Sequence, residues 1–168
     1  MFNYKEKGSD EMRHSKIFFI LLVFLLFIYG CQGTETLDEI SEHEELPNHF
    51  SDGEVSFSIA SDEEVYTLPV TDIMLIITNS GSGELVVDQY RTLEKLQEGT
   101  WYEVPYSDQF AFTDDAQLLE PGGTAEKEMP LEYLNYELTP GTYRIVKPFR
   151  IVGKDEEIVL GSQFEIEE

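Results

Sequence analysis

"LTPGTYRI", Leu138 to Ile145, places a proline-glycine pair and one threonine ahead of a tyrosine, an arginine and an isoleucine. Pro140 presets one backbone angle and Gly141 opens the left-handed region, so the pair is a turn. The residues after it, running on to "VKPF", are rich in aromatic and β-branched types and read as a strand. Tyr143 therefore enters a strand directly from a tight corner.

Outward from this corner, short β-rich runs alternate with turn residues at the spacing of a sandwich. "EVSFSIA" sets Val55, Phe57 and Ile59 against Glu54, Ser56 and Ser58, the alternation of a half-buried strand. "DIMLIITN", from Asp72, is apolar on both faces, as a central strand is, and it ends in the turn cluster "NSGSG". "ELVVDQYRTLEKLQ" and "WYEVPY" flank Glu98-Gly99, a two-residue hairpin loop in which glycine supplies the positive φ. That loop sets Leu96 opposite Trp101, Lys95 opposite Tyr102 and Glu94 opposite Glu103, the last expected as a solvated pair. "AQLLEP", "TAEKEMPL" and the closing "EEIVLGSQFEIE" complete seven to nine strands with no long helix. The fold class is all-β, an antiparallel sandwich over residues 51–168.

The amino-terminal part has a different texture. "IFFILLVFLLFIY", Ile17 to Tyr29, is thirteen uncharged residues preceded by Lys5, Lys7, Arg13 and Lys16. A bilayer span takes about 20 apolar residues, so this run matches the core of a signal peptide, residues 1–30. Met12 offers an alternative start. "IYGC", Ile28 to Cys31, resembles the bacterial lipobox, with Tyr29 departing from the usual small or β-branched residue. The resemblance implies cleavage between Gly30 and Cys31 and a diacylglyceryl group on the Cys31 sulfur. Two acyl chains hold a protein stably to a membrane. The plain alternative is an uncleaved anchor with an incidental cysteine.

Residues 31–50 would then be the lipidated end and an acidic tether: Gln32 to Phe50 shows no sustained apolar period. As a disordered coil of that length it would reach on the order of 25 Å.

The chain holds 34 acidic and 11 basic residues, a formal charge of −23. Three acids and four bases precede Cys31, leaving 31 against 7, or −24, afterwards. Nucleic acid is not expected as a partner, because its phosphates need basic neutralisation. With Cys31 as the one cysteine, no internal disulfide can form and the core must carry the fold.

The corner at Pro140, Gly141 and Tyr143 resembles the tyrosine corner of immunoglobulin-like domains, where the phenol hydroxyl bonds backbone a few residues upstream. Two residues on, where antibody domains have a cysteine, stands Ile145; Trp101 follows a hairpin instead of lying on the usual strand. The wider pattern of "ITNSGSGEL", "YRTLEKLQEGTWYEVPY", "LEPGGTAEKEMPL" and "LTPGTYRIVKPF" resembles a bacterial immunoglobulin-like family of Gram-positive surface lipoproteins. The resemblance implies an Ig-like sandwich, a cell-membrane address on the extracellular face, a non-catalytic binding role and no cofactor. Its partners would be membrane lipid, through acylated Cys31, and an envelope protein or ligand. A looser likeness, in "ITN" and "LTPGTYR", is to small bacterial proteinase inhibitors.

Catalysis finds little footing. His14 falls in the leader, and His43 and His49 fall in the tether, leaving the expected domain without histidine for a serine or cysteine nucleophile. Lys127 and Lys154 sit in polar, turn-like stretches. No metal is expected: "HEELPNH" and the acidic clusters at 61–64, 113–115 and 154–157 match no ordered site and read as solvated segments, with a calcium-responsive module as the competing reading. Trp101, Tyr102 and Tyr106, beside Phe110 and Phe112, are the candidate interaction surface, against the plainer role of filling the core and its rim.

Overall fold

The computed structural model describes residues 36–153 and 157–168. Eleven strands appear among them: β1 His49–Asp52, β2 Val55–Ser61, β3 Val65–Thr67, β4 Met74–Asn79, β5 Leu85–Asp88, β6 Thr92–Gln97, β7 Thr100–Val104, β8 Ala116–Leu119, β9 Thr124–Glu128, β10 Gly141–Ile151 and β11 Glu157–Glu167. Among the described residues one 3-10 turn spans Leu131–Tyr133. The count exceeds the expected seven to nine because the short strands β1 and β3 join the sheets at their edges.

Two sheets face one another. The smaller runs β1-β2-β4-β9, and the larger runs β3-β11-β10-β5-β8, with the β6-β7 hairpin also on β10. The alternation predicted for β2 holds: Val55, Phe57 and Ile59 are buried. They meet Leu75 and Ile77 of β4, and Tyr143, Ile145, Phe149 and Phe164 from the larger sheet, in one apolar core. Such burial, at about 25 cal/mol per Å² of apolar surface, is the main favourable term.

β10 organises the larger sheet. It pairs with β11 from Gly141↔Ile166 to Arg150↔Glu157. Its other edge is shared, Tyr143–Val146 with β6 and Arg150–Ile151 with β5. Between those partners the fully buried Lys147 reaches Asp88 Oδ1 and the Tyr90 carbonyl, both at 2.8 Å. A cation thus closes the gap in the sheet, paired as a buried charge must be.

At the corner, Tyr143 Oη donates to the Thr139 carbonyl at 2.7 Å and accepts from the Thr139 N–H at 3.2 Å. That is tyrosine-corner geometry. Gly141 has φ +145°, and a Cβ there would lie 3.3 Å from Lys95 Cε. Lys95 Nζ bonds Tyr136 Oη and Thr139 Oγ1 and lies 5.1 Å from the Tyr143 ring centroid.

The acidic segment departs from the disordered tether expected of it. Leu37 is buried and joins the core. Ile40 bridges Tyr102, with Ser41 N–H donating to Trp101 O and Glu103 N–H to Glu39 O. The chain then crosses the outer face of the larger sheet, and Gly161 N–H donates to Pro47 O before β1 begins at His49. Residues 37–48 form a strap, held by backbone hydrogen bonds that need no apolar period to form.

Candidate interaction surface

The strap is fastened by Arg144, which the sequence places on the outer face of β10. Its Nε meets Glu94 Oε2 at 2.6 Å, and both side chains are 4% exposed. The guanidinium also bonds Ser41 Oγ and the His43 and Glu44 carbonyls, and stacks 4.2 Å from the Trp101 ring centroid. Ser41 Oγ donates to the other Glu94 oxygen at 2.7 Å. The register Glu94↔Glu103 is as the hairpin loop dictates, with Glu98 at φ 50° and Gly99 at φ 83°. The expected solvated pair is corrected, however: Glu94 is buried and neutralised by Arg144, and only Glu103 keeps an unpaired carboxylate. Burial first, then the charges of Glu39 and Glu94, push the Glu103 carboxyl above its ordinary range.

Beside the strap lies a cavity of about 360 Å³ whose wall includes Glu39, Glu42, Glu103 and Tyr90. A second, of about 420 Å³, is lined by Tyr90, Tyr106, Phe110 and Phe112, with Asp114 at its rim. The two share Tyr90, Thr92 and Glu103, so they are one groove, acidic at one end and aromatic at the other. The rings support each other: Tyr106 and Phe110 centroids are 4.8 Å apart, Phe112 meets Tyr90 edge-on at 5.7 Å, and Tyr133 stacks on Phe110 at 4.8 Å. Arg91 places its guanidinium 5.2 Å from the Phe112 centroid while bonding the Gln89 and Glu128 carbonyls.

The three aromatics singled out from sequence do not form one surface and are in largely structural employment. Trp101 is half-buried beneath Arg144, Tyr102 packs on the core under Ile40, and Tyr106 donates to the Arg91 carbonyl at 3.3 Å. Tyr90, 51% exposed, and Tyr133, 45%, are the outward rings. Sequence reasoning passed over both, and over Arg144 and Lys147. The last two carried a signal: two cations inside an apolar strand of a chain with 11 basic residues must be paired. Gly30 and Cys31 lie outside the described residues.

A family model described as "Bacterial Ig-like domain" matches residues 53–165. The chain belongs to the bacterial Ig-like domain family. Among solved structures, this Ig-like chain is similar to the Pseudomonas fluorescens alkylpurine DNA glycosylase AlkC bound to DNA containing an abasic site analog. The identity is 15% and the TM-score 0.38, over 69% of this chain and 31% of the glycosylase. It is also similar to the ASH / PapD-like domain 7 of human CEP192, at 11% identity and TM-score 0.35, over 82% of this chain and 96% of that domain. No curated protein matches.

In this bacterial Ig-like domain the expectation that histidine stays clear of the fold is also corrected. His49 opens β1, and its Nε2 lies 3.3 Å from Ser56 Oγ, which contacts Ser80 Oγ at 3.0 Å. The contact is solvent-exposed, and water there removes the low-dielectric advantage an oxyanion site depends on. Lys127 lies in β9 and is 9% exposed, not in a turn. Two of the three acidic clusters are put to structural use, while residues 154–156 of the third, Lys154 included, lie outside the described residues. Asp62 Oδ1 accepts from Tyr66 Oη at 2.6 Å and from Met74 N–H at 2.9 Å, and Asp115 accepts from Gln89 at 2.9 Å. Among the described residues no three His, Cys, Asp or Glu side chains are placed to hold a metal ion.

Proposed function

We propose that this protein is a lipoprotein of the Gram-positive envelope, anchored through Cys31 on the extracellular face, whose Ig-like domain is a non-catalytic binding module for another envelope component. The family membership supports an interaction role. The observation that carries the binding reading is the outward ring of Tyr90, which lines a groove the core does not require, with exposed Tyr133 stacked on Phe110 of its wall. Exposed tyrosines combine apolar area with a polar tip and are common interface anchors. The anchoring reading rests on the thirteen-residue apolar run before Gly30-Cys31. A domain fastened by its amino end presents its groove to neighbours in the same envelope.

Two measurements test the reading. Cells fed a clickable fatty acid should label the protein and leave Cys31→Ala unlabelled; equal labelling of both would remove the anchor. In-cell cross-linking followed by mass spectrometry should return one stoichiometric envelope protein, lost in Cys31→Ala. Recovery of monomer alone would argue against a protein partner.

A further inference from the structure

We infer that the groove between the strap and the β7–β8 loop receives a lysine or arginine side chain from an exposed basic segment of the partner. This rests on the interaction-module reading and gives that module a site and a chemistry.

Charge complementarity is the first argument. The ion pairs among the described residues are Arg144–Glu94, Lys147–Asp88 and Arg150–Asp88. Glu39, Glu42, Glu103 and Asp114, all bordering the groove, therefore have no basic partner among those residues. An anionic ligand would be repelled and a cation drawn in.

Aromatic geometry is the second. Negative ring faces attract a cation within about 6 Å of the centroid, more strongly when it is partly desolvated. Tyr90 and Tyr106 line the same groove as Glu103, so a cation placed there comes beside aromatic rings and a carboxylate together. The cluster already holds one such cation in cis, Arg91 over Phe112. Glu103 gives the third argument, since burial among Glu39 and Glu94 leaves it short of positive charge, and an incoming ammonium would supply it. Cavities of about 360 and 420 Å³ have room for the end of a long side chain, although not for a folded element.

The test titrates the intact chain, in non-ionic detergent micelles at physiological salt, with a capped, fluorescent tetralysine peptide. Glu103→Gln removes a groove charge, and Tyr90→Leu keeps apolar bulk but loses the ring. Glu126→Gln, exposed on β9 of the other sheet, removes the same charge elsewhere. The groove reading expects Glu103→Gln and Tyr90→Leu each to weaken binding about fivefold, with Glu126→Gln within about twofold of wild type. Equal losses in Glu103→Gln and Glu126→Gln would show diffuse attraction and overturn the site, as would an unchanged Tyr90→Leu.

A photo-cross-linker placed in cells at position 90 or at 126 separates the two readings. Capture of a protein from 90, reduced by Glu103→Gln, supports the groove. Capture from 126 alone overturns the groove and leaves the interaction module standing; capture from neither overturns both.

Discussion

Tyr143 concentrates several duties in one side chain. Its ring is buried, its hydroxyl closes the loop at Thr139, and Lys95 sits against its face. Tyr143→Phe keeps the packing and removes the hydrogen bonds, so it should cost about 1–2 kcal/mol in a urea melt. Glu103 and Asp88 carry opposite pH signatures. Glu103 is raised by burial and by two neighbouring carboxylates, so its folded form holds its proton more tightly than the unfolded chain. Its penalty is present above the folded value and fades as pH falls through the carboxylate range. Glu103→Gln should thus stabilise at pH 7 by about 0.2–1 kcal/mol, the worth of a like-charge cross-strand pair, and by less near pH 4. Burial alone would raise Asp88, but the Lys147 hydrogen bond and charge overcome it and hold the carboxyl low. Its contribution stands above the unfolded value and is lost as pH drops through the lower folded one. Melting temperatures of wild type and Asp88→Asn should therefore converge in acid.

Among the elements, the strap depends on a few fastenings. Arg144→Gln leaves Glu94 buried with its counter-ion gone and should cost about 3–5 kcal/mol. Hydrogen exchange at Ser41 and Glu103, whose amides hold the strap to β7, should accelerate with it. Gly161→Ala offers a gentler probe. A Cβ there would lie 2.9 Å from Leu46 Cβ, so the strap must lift, and proteolysis within 37–47 should quicken while the core stays protected. If exchange and proteolysis stayed at wild-type rates in both variants, the strap would not be held as drawn.

The contrast between strap and hairpin explains what was legible. The β6-β7 register follows from Glu98-Gly99, a local feature whose cause lies within four residues. The tyrosine corner is equally local, spanning Thr139 to Tyr143. The strap is not. Ser41 finds Trp101 about 60 residues away through a backbone bond, and the His43 carbonyl accepts from the Arg144 side chain about 100 residues away; neither leaves a periodic trace. For the same reason Trp101 read as a surface candidate: the cation covering it comes from β10. The groove joins the strap to the β7–β8 loop, so neither half could be seen without the other.

At the scale of the whole molecule, a net charge of −23 works against compaction. Sodium chloride at a few hundred millimolar should raise the melting temperature, since the repelling carboxylates are mostly exposed while the Arg144–Glu94 and Lys147–Asp88 pairs are buried or partly so. A fall instead would mean that the ion pairs outweigh the general repulsion.

The strap also shortens the leash. Five residues, Gln32 to Thr36, separate Cys31 from the buried Leu37, where nineteen would have separated it from a domain beginning at Ser51. Six links of backbone, pulled taut, span about 20 Å. With Cys31 acylated as proposed, Leu37 could rise no further than that above the lipid headgroups. The domain would sweep a shallow layer just over the bilayer, and whatever it meets must itself stand at that altitude.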